Sequence, residues 1–241
     1  MNTDNNINNM DNNNLADTQK SILECLSFIP ATEVPVGMFD SEDEIRRHIA
    51  DNDMTYYLDF LEKLYPYLNT DNYSEGMKAV LSEMERGLNT ENGGTVLDHA
   101  MLFDYQAAYE YHGNHNLSQA LDLQKKAVSY LTNIDEESAM LASNIYANLG
   151  ALYRLNKEME PAVLYMKRGI DILNQYHLIF TGSGIAQLCN YAALLHDIGE
   201  SETALSILQK FASVMEQHRD TDNPNYAALQ RTMEQIKKRI S

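Results

Sequence analysis

The stretch Tyr146-Ala147-Asn148-Leu149-Gly150-Ala151-Leu152-Tyr153, followed after the polar turn Asn156-Lys157-Glu158 by Pro161-Ala162-Val163-Leu164-Tyr165-Met166, decides the fold of this chain. Large apolar side chains recur at three- and four-residue intervals, the period of a helix. Each of the two segments also carries a small residue, Gly150 or Ala162, where two antiparallel helices can cross closely. The unit recurs. QALDLQKKAV around Ala120, PAVLYMKRGI around Ala162 and TALSILQKFA around Ala204 align with their alanines 42 residues apart. Another small residue, Ala108, Gly150 or Ala192, stands 12 residues before each alanine. The turns His112-Gly113-Asn114-His115-Asn116 and Ile198-Gly199-Glu200-Ser201 separate the two helices of the flanking units. Self-similarity at a fixed period of this length is the signature of a stacked helical repeat.

Outward from the repeats, Asn92-Gly93-Gly94 marks the clearest internal boundary. Before it, Tyr73 to Leu88 and Asp53 to Leu68 have helical period, the latter through Tyr57, Leu58, Leu61, Leu64, Tyr65 and Leu68. Ser41 with Glu44 three residues on forms a capping box. Ile22 to Ile29 and Val34 to Phe39 are short apolar segments, and residues 1–16 are an Asn/Asp tract expected to stay disordered. After the repeats, Pro224 to Ile240 reads as a capping helix with Ala227, Leu229, Met233, Ile236 and Ile240 on its apolar side. The expected division is a tail (1–16), a helical N-terminal region (17–93), three repeats (94–220) and a capping helix (221–241), with roughly ten or eleven helices in all.

The 241 residues carry a formal net charge of −17, with 44% hydrophobic residues, few glycines (11) and fewer prolines (5). That balance favours helices and a buried core. So acidic a field opposes phosphate backbones and favours basic partners, so no nucleic-acid partner is expected. Cys25 and Cys189 form no CxxC pair, and neither a leader-type segment nor an apolar run of membrane-spanning length is present. A cytoplasmic protein outside the membrane is the expectation.

Tyr146-x2-Leu149-Gly150-x2-Tyr153, continued by Ala162-x3-Met166, resembles the tetratricopeptide (TPR) repeat pattern W-x2-L-G-x2-Y…A-x3-F, with Tyr for Trp. The third unit matches as Leu188, Tyr191, Ala192, Leu195, Ala204 and Leu208. The first is weaker, because Asp104 and Gln124 depart from the pattern, and the closing proline is missing throughout. The period of 42 resembles the kinesin-light-chain-like variety, with longer helices. This likeness implies an all-α, right-handed α-solenoid of helical hairpins whose first helices line a concave groove. A fainter likeness links residues 18–45 to the winged-helix segment that precedes such repeats in STAND-type ATPases, but the chain has no phosphate loop of the form GxxxxGK[ST].

Helical period places Leu102, Tyr105, Gln106, Tyr109 and His112 on the groove side of the first unit. In the second unit these are Asn144, Ala147, Asn148, Ala151 and Arg154, and in the third Ala186, Cys189, Asn190, Ala193 and His196. Gln106, Asn148 and Asn190 recur at the repeat spacing. A carboxamide both donates and accepts, so such a ladder could grip the main chain of a peptide, or else bond to neighbouring helices and align the repeats. Tyr105 and Tyr109 would be aromatic walls, Asn144 a further amide, and His112, Arg154 and His196 a column of modest positive charge, or else ordinary residues near helix C-termini. Lys126, Arg168 and Lys210 repeat on the second helices and read as a solvated face.

His112-Gly113-Asn114-His115, His196-Asp197 and Gly182-Ser183-Gly184 each carry part of a catalytic or metal-binding pattern. None has the accompanying ligands or scaffold that such chemistry needs. The expected function is a peptide- or protein-binding adaptor, not an enzyme, with no cofactor and no metal. The alternative is a structural or oligomerisation module, or the sensor part of a larger assembly, with its groove unused.

Overall fold

The computed structural model describes residues 40–50, 56, 59, 60, 63, 74–88 and 94–240. The Asn/Asp tract, the two short apolar segments, most of Asp53 to Leu68 and all but the last six residues of the winged-helix likeness lie outside these residues. The described part is helical without a strand. The chain divides into two compact units between Tyr130 and Leu131.

The first unit holds α1 (Glu42–Ala50), α2 (Ser74–Leu88), α3 (Val96–His112) and α4 (Leu117–Ser129). At the start of α1, the Glu44 carboxylate accepts from both the amide and the hydroxyl of Ser41, at 3.0 and 2.7 Å. Those bonds hold its pKa below the ordinary value. At α3, Thr95 and Asp98 form a complete capping box, each side chain bonded to the other's backbone N–H. The α3–α4 hairpin is the first repeat, and its two departures from the repeat pattern turn out to be partners. Buried Gln124 donates to the Asp104 carboxylate at 2.5 Å. The matching positions hold Tyr146 and Met166, and Leu188 and Leu208, all buried, so one polar pair stands where the other repeats have buried apolar residues.

The second unit holds α5 (Ala139–Leu155), α6 (Met159–Gln175), α7 (Gly182–Asp197), α8 (Ser201–Gln217) and α9 (Pro224–Ile240). Helices of 16 or 17 residues are about 25 Å long, at 1.5 Å per residue. α5 and α6 cross where the sequence placed its small residues. A Cβ on Gly150 would stand 2.6 Å from Met166 Cγ and 3.0 Å from the Ala162 carbonyl oxygen, so any side chain would force the helices apart. Ala162, Ala192 and Ala204 are fully buried at the equivalent places. Between the hairpins, Met166, Ile170, Leu173, Leu188, Leu195 and Leu208 belong to one continuous core.

α9 packs on α7 and α8 and closes that core with Leu229, Met233 and Ile236. Two residues expected on its apolar side are exposed instead. Ala227 lies two residues before Leu229, which on a helix is nearly the opposite face. Ile240 stands one residue past the position 42 beyond Asp197, so it projects beyond the end of α7.

The chain leaves α5, α6, α7 and α8 through the same turn. Lys157, His177, Gly199 and Arg219 have φ of 64°, 60°, 91° and 57°, the left-handed region. After each, the next amide bonds five residues back: Glu158 to Tyr153, Leu178 to Leu173, Glu200 to Leu195 and Asp220 to Met215, at 2.7–2.9 Å. This is the Schellman closure of a helix. Only one of the four positions has glycine. The other three are basic, which suits the negative end of a helix dipole but costs left-handed strain.

Gly199→Ala is therefore expected to lose about 1 kcal/mol, and Lys157→Gly to gain up to about that much, offset by the entropy glycine adds to the unfolded chain. Urea unfolding of the two variants against the parent checks both signs. In the first unit, Asp104→Leu should cost about 1–3 kcal/mol by removing a partner of buried Gln124. Adding Gln124→Leu should recover part of it, and a double-mutant cycle with no coupling would contradict the pairing.

Candidate interaction surface

The two leading helices of the second unit, α5 and α7, run side by side in the same direction, as their cross-bonds show. The Ser143 hydroxyl donates to Gln187 Oε1 at 2.7 Å, and Gln187 Nε2 donates to Asn144 Oδ1 at 2.8 Å. Ser183 Oγ also donates to Asn144 Oδ1, at 3.1 Å. At the other end of the helices the Arg154 guanidinium pairs with the Asp197 carboxylate. The bonded residues are 39 to 44 positions apart, close to the repeat period, so the helices lie in register. α6 lies beneath the first strap: a Cβ on Gly169 would come within 2.9 Å of the Ser143 carbonyl oxygen and 3.2 Å of Gln187 Oε1. Ser143 and Gln187 are both buried, so their mutual bond satisfies groups that would otherwise be costly inside the unit.

Between the two straps lies a strip of small and amide side chains. Ala147, Ala151 and Ala193 are half-buried, whereas Asn148 and Asn190 are exposed. α9 extends this strip as a third leading helix. Asn225 Nδ2 donates to the Phe180 carbonyl oxygen beside the start of α7, and Thr232, whose hydroxyl donates to the Ala228 carbonyl oxygen at 2.9 Å, lies beside the Cys189 thiol midway along it. Thr232 thus occupies the place 42 residues after Asn190. Burial pushes the Cys189 thiol up, against smaller downward effects of Thr232 and Arg231.

The expected site residues divide into three groups. Asn148 and Asn190 stand outward on neighbouring helices. Asn144 is committed to the strap and Arg154 to Asp197, while His196 Nδ1 lies 2.8 Å from the Ser201 hydroxyl, across the α7–α8 turn. Tyr105, Gln106 and Tyr109 belong to the first unit. There Gln106 Nε2 donates to Glu85 of α2 at 3.3 Å, and Tyr105 is half-buried. Tyr109, expected as an aromatic wall, is 8% exposed. Gln106 and Tyr109 line a cleft of about 590 Å³ with Glu85, Phe103, Glu110 and Lys126. Lys126 Nζ stands 5.1 Å from the centre of the Phe103 ring, a cation–π contact, so this second-helix cation covers an aromatic face. Arg168, its counterpart one period on, covers Tyr146 at 5.2 Å.

The fragments of catalytic pattern have local roles. Ser183 of Gly182-Ser183-Gly184 belongs to the strap, and Gly184 lies so close to the Ile179 carbonyl oxygen that a Cβ would stand 2.5 Å from it. His196 and Asp197 serve different partners, Ser201 and Arg154. His112 is half-buried, and burial first, then nearby His115, holds its imidazole below the ordinary value.

Ser143, Gln187 and Asp197 were not anticipated as bracing residues. A signal existed for Gln187, which breaks an otherwise apolar column by following Phe103 and Ile145 at the repeat spacing. Asp197 and Ser143 had none, because neither pattern nor period names the partner of a surface carboxylate or a buried hydroxyl.

No family model matches the sequence, and no curated protein matches it. Among solved structures, the fold is similar to a kinesin light chain of Podosopora anserina described as having nearly identical TPR-like repeats, with a TM-score of 0.61 and 14% identity over 78% of this chain and 86% of that one. A single-substitution variant of the same protein gives the same values. No helix among the described residues is long and apolar enough to cross a membrane. The repeat spacing, the in-register leading helices and these solved structures agree: the chain has the fold of a TPR-like helical repeat protein.

Proposed function

We propose that this chain is a protein-binding scaffold without catalysis of its own, and that the second unit holds an extended polypeptide segment along the strip bearing Asn148 and Asn190. The supporting observation is the division of labour on the two leading helices. The residues that brace them, Ser143, Asn144, Gln187, Arg154 and Asp197, lie toward the helix ends, and the exposed amides lie between. Bracing fixes the distance between the two helices before any partner arrives, which reduces the ordering cost of binding. An amide offers a donor and an acceptor to a main chain that offers both, and the alanines beside it leave room for that chain. The net charge of −17 favours approach by a basic segment. The first-unit cleft lined by Gln106 and Tyr109 is a second, separate contact surface in this reading, with half-buried Tyr105 on the same helix.

Selection from a displayed library of random peptides tests the proposal directly. The parent should enrich a peptide class, and Asn148→Ala with Asn190→Ala should weaken its binding at least tenfold, with the melting temperature shifted by no more than about 2 °C. Asn144→Ala should do the reverse. It breaks the strap and leaves buried Gln187 short of an acceptor, costing about 1–3 kcal/mol of stability. Unchanged peptide affinity in the double variant would overturn the proposal. A library that enriches nothing would favour a structural or oligomerisation module with an unused strip.

A further inference from the structure

One end of the second unit carries two exposed features that match each other. At the α5–α6 and α7–α8 turns, Met159, Val163 and Ile198 line an open apolar slot of about 360 Å³ whose wall includes Glu160. Ile198 is 40% exposed, and Leu155, at the end of α5, is 49% exposed. Glu158 and Glu200, in the same two turns, and Glu202, in the first turn of α8, are also exposed, so this end of the unit carries four glutamates beside Lys157, while Arg154 pairs with Asp197. The second feature is the last turn of α9, where Lys237, Lys238 and Arg239 are exposed beside Ile240, itself 55% exposed. Because α9 runs parallel to α7 and in register with it, this basic, apolar-tipped turn lies at the same end of the unit as the slot.

We propose that this end is a self-association surface, on which the slot of one copy receives the last turn of α9 from a second copy. Charge selects the pairing, since four glutamates on one side face two lysines and an arginine on the other. Apolar contact comes from Ile240 against Met159, Val163 and Ile198. Since both features sit at one end, a two-fold axis makes both contacts at once, and the assembly closes as a dimer rather than growing into a fibre. The surface is separate from the amide strip and stands whether or not a peptide binds there.

Sedimentation of the full chain tests this. The parent should form a dimer that weakens at least tenfold as salt rises from about 0.05 to 0.5 M, because exposed charges are screened over that range. Glu200→Lys with Glu202→Lys, and separately Lys237→Glu with Arg239→Glu, should each sediment as a monomer of unchanged helicity. An equimolar mixture of the two should restore the dimer in part, since the unaltered slot of one variant then faces the unaltered tip of the other, and the introduced lysines face the introduced glutamates. The salt dependence of the parent decides the matter even if a reversed-charge variant folds poorly. A parent that stays monomeric up to about 100 μM, well above the micromolar range of weak specific contacts, would overturn the proposal. So would charge-reversed variants that still dimerise, or a parent mass that climbs without limit.

Discussion

Close approach of two helices at a pair of small side chains is the constraint on which this molecule depends. At Gly150 there is no room for a Cβ between α5 and the backbone of α6, and the fully buried alanines at 162, 192 and 204 hold the equivalent places. With the helices that close, Leu149, Leu173, Leu188 and Leu208 fill the interior of the second unit at essentially zero exposure. The Schellman turns then fix where each helix stops. Because those turns recur at the repeat spacing, α7 begins level with α5 and α9 level with α7. The outward strip is a consequence of that register.

Polar groups inside such a structure are tolerated only as pairs. Asp104 with Gln124, and Ser143 with Gln187, each place hydrogen-bonding groups where the other repeats have Tyr, Met, Leu, Ile or Phe. A buried amide without a partner would be a sizeable fault in a domain of ordinary stability, whereas a satisfied one joins elements and fixes their register. The Ser143–Gln187–Asn144 strap acts in this second way, by linking two leading helices that share little other contact. Asn144 is bonded into that strap, and Asn148 and Asn190 are exposed on the same two helices.

Much of this was legible in the linear chain. The 42-residue period, the small residues at the crossings, the three hairpins and the closing helix all follow from side-chain size and spacing, which survive whatever the fold does with them. Thr232 could have been read as a further rung of the ladder by carrying the period one step past the last complete hairpin. The fate of individual polar side chains was harder to read. Tyr109 and Asn148 both fell on the face assigned to the groove, yet one is buried and the other exposed.

By itself the sequence determined that the chain folds into stacked helical hairpins, because helical period and the volume of each residue are local properties written into the order of amino acids. Only the tertiary structure decided which polar residues brace the helices and which remain on the surface. Whether Asn144 meets Gln187, Arg154 meets Asp197 or Gln106 meets Glu85 depends on distances between segments 21 to 43 residues apart. Those distances are set by packing, and no pattern along the chain encodes them.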